Sequence, residues 1–250
     1  MSPLISIIIA TYNAEETLHD ALESVLNQSF QDWECLVVDG ASKDNTVKII
    51  EEFCKHDKRF RFISEPDKGI YDAFNKGWRM AKGEWIYYLG ADDLLLKDAL
   101  EDFEKNVDDS DVIYGNTIFD TGLRMKKSVS ISPEHLKGRM VSHQCILMKK
   151  SCIEQSGGFD TRYKISADFA LIQKALKNGF KFKHIDCYIA VFKCGGVSSE
   201  RYANIFEVYR IKKEQNLSTK IGNIAYIAKR LSEKFVKKQG KIIISIFIHK

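Results

Sequence analysis

One stretch decides the fold: Gly83-Glu84-Trp85-Ile86-Tyr87-Tyr88-Leu89-Gly90-Ala91-Asp92-Asp93. Its apolar and aromatic part, from Trp85 to Leu89, is typical of a buried strand. Two small residues and two adjacent carboxylates follow, and the next run, from Leu94 to Val107, is predicted to be a helix. Asp92 and Asp93 therefore lie at the end of a strand, where open α/β sheets bind their ligands.

The two carboxylates have two interpretations. Adjacent carboxylates repel each other unless a positive charge lies beside them, and their hard oxygen atoms suit Mg²⁺ or Mn²⁺ that carries the phosphates of a substrate. The alternative is the N-cap of the following helix, where Asp is favoured and where the helix dipole attracts negative charge. Taken alone, the pair favours the cap, so the rest of the chain has to decide.

The first 65 residues predict an alternation of strands and helices. Apolar runs predict three strands and two helices, in the order 4–10, 14–28, 33–38, 46–55 and 59–64. This alternation predicts a parallel sheet with right-handed crossovers. Polar residues follow each strand, at 11–13, 39–44 and 65–68. The sheet edge they occupy is where a nucleotide would bind.

No phosphate-binding loop of the GxGxxG or GxxxxGK[ST] type occurs, so phosphates are expected to be held by a metal instead. A turn at residues 65–69 enters a helix whose polar residues lie three and four positions apart and share a face. That face is expected on the nucleotide pocket, the alternative being an outer face in solvent. Further along, a strand is predicted at 111–115, a hairpin at 116–131, and strands at 145–148 and 180–192.

Charge is distributed unevenly along the 250 residues. Residues 201–250 carry 12 Lys and Arg against three acidic residues, whereas the part before them is slightly acidic. We expect one domain at 1–199 and a basic helical extension at 200–250. The extension closes with a short apolar run at 241–248. Attachment to an anionic membrane surface and packing on the core or on a second subunit both fit this pattern.

The expected compartment is the cytoplasm, with the protein peripheral on the inner face of the plasma membrane through its extension. No signal peptide precedes the first strand, and no apolar run reaches the roughly 18 residues of a membrane span. The six cysteines show neither a CxxC pair nor a metal-site spacing, so they are expected to be reduced.

Five segments, in this order, resemble the motifs of a known family. They are residues 6–13, 37–46, 65–77, 91–93 and the region from Gly157-Gly158-Phe159-Asp160 to Ala167-Asp168-Phe169. Across about residues 4–195 the chain resembles the family-2 glycosyltransferases of GT-A fold, especially bacterial members that build O-antigen, capsule and exopolysaccharide. Two positions differ: Gly90 stands where the family commonly has Asn or Ser, and Ala167 replaces the first member of an acidic pair.

The resemblance implies a Rossmann-like, mostly parallel sheet flanked by helices. It also implies inverting transfer of a hexosyl or N-acetylhexosaminyl unit from a UDP-sugar to a glycan or polyprenyl-linked acceptor. Mn²⁺ or Mg²⁺ is expected on Asp93, and the catalytic base is expected at Asp168, for which a helix N-cap is the alternative. His143 and Gln144 are expected to contact the donor sugar or the acceptor. The other residues expected to bind the nucleotide sugar are Thr11, Tyr12, Asn13, Asp39, Asp67, Lys68, Gly69, Tyr71, Asp72, Asn75 and Asp92.

Two other classes of function are alternatives to this one. A catalytically silent member of the family would bind a nucleotide sugar or a glycan within a polysaccharide-assembly complex, but the chain retains Asp93 and Asp168. A nucleotidyltransferase usually has a Gly-rich basic loop after its first strand, where this chain has Thr11 to Glu16. The basic extension is a feature of nucleic-acid binding, yet the chain lacks a DNA or RNA motif, so no nucleic-acid partner is expected.

Overall fold

The computed structural model describes residues 2–194, 203–219, 221–230 and 232. The strands are β1 (Ile5–Thr11), β2 (Trp33–Asp39), β3 (Phe60–Ser64), β4 (Trp85–Gly90), β5 (Leu94–Leu95), β6 (Val112–Asp120), β7 (Met125–Ser128), β8 (Ile146–Lys149) and β9 (Phe182–Lys193). The α-helices are α1 (Leu18–Leu26), α2 (Thr46–His56), α3 (Ile70–Met80), α4 (Ala99–Glu104), α5 (Lys150–Gln155), α6 (Ala167–Lys177) and α7 (Ala203–Glu214). Short 3₁₀ turns lie at Pro133–His135 and His143–Cys145. Residues 221–230 are also helical.

The described strands form one mixed sheet in the order β3-β2-β1-β4-β8-β6-β9-β5, with β7 paired to β6. Strands β3, β2, β1 and β4 are parallel, and all seven residues of β1 are buried. The chain passes outward from β1 to β3 and then returns to the other side of β1 as β4. This reversal creates a switch point beside β1, where the carboxyl ends of neighbouring strands leave a crevice.

The strand register brings the expected site segments to one edge. Thr11 pairs with Asp39, and Ala10 pairs with Gly90, so β1, β2 and β4 end side by side. Helix α3 covers β1 closely, because a Cβ added to Gly77 would lie only 2.5 Å from Cγ2 of Ile8. The predicted parallel sheet and its crossover helices are therefore confirmed.

The second half of the sheet carries one correction. The helix predicted from Leu94 to Val107 is wrong at its start, because Leu94 and Leu95 form β5 and pair antiparallel with Val191 and Ala190 of β9. The helix that follows, α4, begins only at Ala99. A long-range pairing thus overrides the local helical pattern. The hairpin predicted at 116–131 is present as β6 and β7.

Helix α7 packs on the body of the protein. Ile205 and Ile211 are buried, the hydroxyl of Tyr163 donates to Oε2 of Glu214 (2.6 Å), and Nε2 of Gln215 donates to the carbonyl of Ala170 (3.0 Å). The first part of the predicted basic extension therefore contacts the domain. Residues 195–199, whose two glycines and two serines predict a flexible loop, and the apolar run at 241–248 lie outside the described residues.

Two further observations concern the described part of the chain as a whole. None of its helices is both long enough and apolar enough to cross a membrane. The six cysteines are all within it and are all free of disulfide bonds, with Cys35, Cys145 and Cys152 buried and Cys194 exposed. Burial raises the pKa of the Cys145 thiol to about 11, so this cysteine is a core residue rather than a reactive thiolate.

Candidate functional site

The two loops that follow β1 and β2 are tied together by hydrogen bonds. The backbone N–H of Asn13 donates to Oγ of Ser42 (2.8 Å), and Oδ1 of Asn13 accepts from the N–H of Lys43 (2.9 Å). Asn13 adopts a positive φ of 48°, which Asn tolerates better than most residues. Asp39 is fully buried and accepts from the N–H of Ser42 (3.0 Å) and from Oγ of Ser64 (2.6 Å). The loops thus form one preorganised wall of the cleft.

The open end of this wall has a narrow gap at Gly40. A Cβ added to Gly40 would lie 2.8 Å from Oδ2 of Asp67 and 3.3 Å from the ring of Tyr12. The side chain of Tyr12 is 62% exposed, so one aromatic face is available to a planar ligand. Oγ1 of Thr11 is buried without a hydrogen-bond partner among the described residues. An aromatic face, a carboxylate and an unpaired hydroxyl together suit a nucleoside.

The turn between β3 and α3 is held by two of the predicted residues. Oδ1 of Asp67 accepts from the N–H of Gly69 (2.7 Å), and Oδ2 of Asp72 accepts from the N–H of Lys68 (3.0 Å). Gly69 has a φ of 114°, a conformation that residues with a Cβ rarely adopt. Asp67 and Asp72 therefore shape the turn, and the side chain of Lys68 lies exposed at its tip.

Asn75 was expected to bind the nucleotide sugar, but its side-chain amide is engaged by other residues of the protein. Its Nδ2 donates to the carbonyl of Phe159 (2.7 Å), and its Oδ1 accepts from the N–H of Phe159 and from Nε1 of Trp78 (both 3.0 Å). A Cβ added to Gly158 would lie 2.7 Å from the same Oδ1. Asn75 is 6% exposed, so its amide serves to fix the Gly157–Asp160 segment against α3.

Asp93 is a buried carboxylate that joins three elements. Only 1% of the residue is exposed, and its Oδ2 accepts from Nε2 of Gln144 (2.8 Å) while its Oδ1 accepts from the N–H of Lys193 (3.0 Å). Because β5 follows directly, no helix begins at Asp92 or Asp93, and the N-cap of α4 is Asp98. The helix-cap interpretation of the carboxylate pair is therefore wrong.

Asp92 differs from its neighbour in exposure and in contacts. It is half-buried, and its side chain accepts no hydrogen bond from any described residue. Burial, and then the charge of Asp92, raise the pKa of Asp93 from 3.8 to about 6. Gly90 makes room for both, because a Cβ there would collide with Oδ2 of Asp93 and would lie 3.1 Å from Oδ1 of Asp92. This packing explains why glycine occupies position 90.

The carboxylate pair fits a divalent cation whose remaining ligands come from a diphosphate. Mg²⁺ is usually held by one or two carboxylates together with substrate phosphates and water. Three side chains that could together hold a metal ion also occur elsewhere in the described part of the chain. They are His19, Asp20 and Glu23 on the exposed face of α1. A cation beside Asp92 and Asp93 would also offset the repulsion that raises the pKa of Asp93.

Asp168 lies in the first turn of α6, and Ser166 is the N-cap, so the N-cap interpretation of Asp168 is wrong as well. Its Oδ1 lies 3.1 Å from the hydroxyl of Tyr71, whose one proton is shared with the carbonyl of Ile165 (2.7 Å), and its Oδ2 lies 3.2 Å from Nδ1 of His143. The side chain is 13% exposed. Burial and the Asp168 charge raise the pKa of Tyr71, so this phenol stays protonated as a donor. The carboxylate is thus held in place from two sides.

The dipeptide His143–Gln144 connects the two candidate centres. His143 contacts Asp168 and Gln144 contacts Asp93, and both belong to one short 3₁₀ turn before β8. Nε2 of His143 is buried and has no hydrogen-bond partner in the described part of the chain. The sequence predicted these two residues on the sugar side of the site. The tertiary structure brings them to the base candidate and to the carboxylate pair.

Glu207 of α7 is a residue that the sequence analysis missed. Its Oε1 accepts from the N–H of Lys164 (2.8 Å), and its Oε2 accepts from the N–H groups of Ile165 (2.9 Å) and Ser166 (3.0 Å). These three amides precede α6, so Glu207 fixes the segment that carries Asp168. The only sequence signal was its acidic character within a strongly basic segment.

Comparison with known proteins identifies the family. The model of the family described as Glycosyl transferase family 2 matches residues 6–180. The chain belongs to glycosyltransferase family 2. A "PGL/p-HBAD biosynthesis glycosyltransferase" of Mycobacterium bovis is 33% identical to this family-2 chain over 174 residues, which cover 67% of the chain and 68% of the relative. The resemblance noted in the sequence is therefore confirmed.

Solved structures confirm the GT-A fold of this family-2 chain. S. aureus TarS 1-349 in complex with UDP-GlcNAc superposes with a TM-score of 0.71 at 20% identity, covering 94% of the chain and 73% of that TarS fragment. The mannosyltransferase PcManGT from Pyrobaculum calidifontis, in complex with GDP-Man and Mn²⁺, gives a TM-score of 0.68 at 17% identity, covering 88% and 66%. At these identities the likeness concerns the fold alone.

The raised pKa of Asp93 predicts a pH-dependent stability. Because the folded protein binds this proton more tightly than the unfolded chain does, the resulting stabilisation is complete below pH 3.8 and is lost as the pH rises through about 6. Relative to Asp93→Asn, the free energy of unfolding of the metal-free wild type should fall by about 3 kcal/mol across that interval. Urea unfolding in a chelator at several pH values measures the difference.

The matched control for this prediction is Asp20→Asn, which removes an exposed carboxylate on α1 and reports the effect of net charge alone. If the free energy of unfolding of the wild type and of Asp93→Asn changed in parallel from acid to neutral pH, the raised pKa of Asp93 would be contradicted.

Proposed function

We propose that the protein is an inverting, metal-dependent transferase. It moves a hexosyl or N-acetylhexosaminyl unit from a UDP-sugar to a glycan or lipid-linked acceptor during the synthesis of a cell-surface polysaccharide such as O-antigen or capsule. The observation that carries the proposal is the link from Asp93 through Gln144 and His143 to Asp168. It joins a candidate phosphate-and-metal centre and a candidate base in a chain of the glycosyltransferase family.

The donor nucleotide is proposed to bind along the loops after β1 and β2. The exposed ring of Tyr12 would stack on uracil, and Asp39 would accept a base N–H through a lone pair that Ser42 and Ser64 leave free. The unpaired hydroxyl of Thr11 supports the same location, because a buried polar atom without a partner is costly unless a ligand satisfies it. Asp67 lies across the Gly40 gap from Tyr12 and would contact the nucleoside.

Asp92 and Asp93 are proposed to hold Mn²⁺ or Mg²⁺, which when bound would neutralise the diphosphate leaving group. Asp93 was expected from the sequence to be the firmer ligand. Both of its oxygen atoms already accept a hydrogen bond, whereas those of Asp92 accept none from any described residue. We therefore propose that Asp92 supplies the more accessible oxygen and that Asp93 contributes a remaining lone pair and orients the loop.

Asp168 is proposed as the general base. Inversion requires the acceptor hydroxyl to attack from the side of the anomeric carbon opposite the diphosphate, so the base must lie across the donor sugar from the metal centre. Asp168 would take the proton of that hydroxyl as the new bond forms. The contacts with Tyr71 and His143 restrict its rotation in a partly buried position.

The first test compares binding with transfer. We expect Asp168→Asn to bind UDP-sugar as the wild type does but to lose transfer by about 10²- to 10⁴-fold, the usual contribution of a general base. A panel of UDP-sugars with Mn²⁺ or Mg²⁺, assayed for transfer and for slow hydrolysis, measures it. Asp160→Asn is the control, since Asp160 pairs with Arg162 outside this cluster. Transfer by Asp168→Asn near the wild-type rate would mean that another residue is the base. A wild type that turns over no UDP-sugar would support the alternative, a catalytically silent family member that binds a nucleotide sugar or a glycan.

The second test concerns the cation. We expect Asp92→Ala and Asp93→Ala each to weaken Mn²⁺-dependent UDP binding by about 10- to 100-fold, because loss of a ligand or of the group that orients it weakens metal affinity to this extent. Calorimetry of UDP with and without Mn²⁺ separates metal-dependent from metal-independent affinity. Glu52→Ala, which removes an exposed carboxylate of α2, serves as the control. If both variants keep the Mn²⁺-dependent affinity of the wild type, the carboxylate pair is not the metal site.

We also propose that the C-terminal segment attaches the protein to the inner face of the plasma membrane, where a polyprenyl-linked acceptor would be met. Helical residues 221–230 support this, since Ile221 is 81% and Ile224 is 64% exposed beside basic residues. A chain ending at residue 219 retains α7 and should bind anionic vesicles at least several-fold more weakly than the full chain. Equal flotation of the two chains would remove the proposal.

A further inference from the structure

The β6–β7 hairpin projects from the edge of the candidate site. Its last β6 residue, Asp120, pairs with Lys193 of β9 and with Met125 of β7. The N–H of the same Lys193 donates to Oδ1 of Asp93 (3.0 Å). The hairpin therefore begins one strand away from the carboxylate pair, and its tip, residues 121–124, extends beyond the sheet.

The hairpin exposes large apolar side chains at its tip and along its second arm. Leu123 is 95% exposed, Val129 is 64% exposed and Met125 is 62% exposed. Leu123 lies in the turn between the strands, Met125 begins β7 and Val129 directly follows it, so the three residues fall within seven positions at the tip and along one arm of the hairpin. Such contiguous exposure is unusual, because single exposed apolar residues are normal but a cluster marks an interaction site.

The same hairpin is strongly cationic. Arg124, Lys126 and Lys127 lie among the apolar residues, and no acidic residue occurs from 121 to 133. None of the three forms an ion pair with an acidic residue of the described chain, and Nζ of Lys127 lies 4.9 Å from the ring centroid of Tyr188. Residues 121–127 are all exposed, so these charges are available to a partner.

We propose that the β6–β7 hairpin is a docking surface for an anionic lipid bilayer. Apolar side chains alternating with cations match the boundary between acyl chains and acidic headgroups, and each cation near such a surface strengthens binding about fivefold. A free glycan or phosphate would leave Leu123, Met125 and Val129 without a partner. A second copy of this hairpin would bring two sets of three cations together and would be repelled.

This surface goes beyond the proposed transfer reaction and does not depend on it. It differs from the C-terminal segment because it lies within the body of the domain, beside Asp93. Docking here would hold the open edge of the cleft at the membrane, so that an acceptor on a lipid carrier could reach the site without leaving the bilayer. The hairpin would thus orient the domain, and the C-terminal segment would add affinity.

The experiment uses the full chain and phosphatidylcholine vesicles with or without phosphatidylglycerol. Arg124→Gln/Lys126→Gln/Lys127→Gln should lower partition onto anionic vesicles by about 10²-fold, from about fivefold for each cation. Leu123→Ser/Met125→Ser/Val129→Ser should lower it to a similar degree. The matched control, Lys55→Gln/Lys58→Gln/Lys97→Gln, removes the same charge from exposed lysines outside the hairpin and should change partition far less.

A single substitution reports the contact directly. Leu123→Trp should shift its fluorescence emission to the blue with anionic vesicles and should be quenched by brominated lipid, whereas the native Trp33, Trp78 and Trp85 are buried and respond little. UDP binding equal to that of the wild type verifies that each variant is folded. The proposal would be overturned if both triple variants bound vesicles as the wild type does. It would also be overturned if the emission of Leu123→Trp did not shift with anionic vesicles, or if the variants lost self-association of the protein instead of vesicle binding. Its failure would leave transfer to a soluble acceptor unaffected, so the two proposals are tested separately.

Discussion

The structure depends on one buried carboxylate. Asp93 ends the segment that follows β4, and its two oxygen atoms accept from the side chain of Gln144 and from the backbone of Lys193. Three elements distant in the sequence therefore meet at a charge that is 1% exposed. Burial and Asp92 make this charge unfavourable without a cation, which raises the pKa of Asp93 to about 6. The same strain that weakens the metal-free protein would favour binding of a metal together with a diphosphate.

From this carboxylate the contacts extend to the base candidate and on to α7. His143 directly precedes Gln144 in the sequence and contacts Asp168. Tyr71 of α3 contacts the same carboxylate. Glu207 then fixes the amides before α6 from outside the segment that the family model matches, residues 6–180. The C-terminal part thus helps to build the site. These contacts restrict the loops that carry the candidate site residues, which makes the site more rigid than unsupported loops would be.

The surfaces around the cleft have different chemical characters. The loops after β1 and β2 offer an aromatic face and carboxylates. The β6–β7 hairpin offers apolar side chains and cations that form no ion pair with an acidic residue of the described ranges. These characters suit a polar donor from solution and an acceptor from a lipid surface. Both converge on Asp93, because β9 carries Lys193 next to the hairpin and beneath the carboxylate pair. Under the two proposals above, the donor site and the lipid-facing surface would lie on the same side of the sheet edge.

The sequence by itself determined the family, the buried parallel strands and the polar residues at their carboxyl ends, because these follow from periodicities of two and 3.6 residues and from local motifs. Only the tertiary structure decided that Asp92, Asp93 and Asp168 are not helix N-caps. Each fitted a helix cap locally, but Leu94 and Leu95 pair with β9 and Ser166 takes the cap of α6. The structure also engaged Asn75 with Phe159 and brought Glu207 to the base segment. These contacts join residues from about 40 to almost 100 positions apart, and no local pattern encodes a partner at that distance.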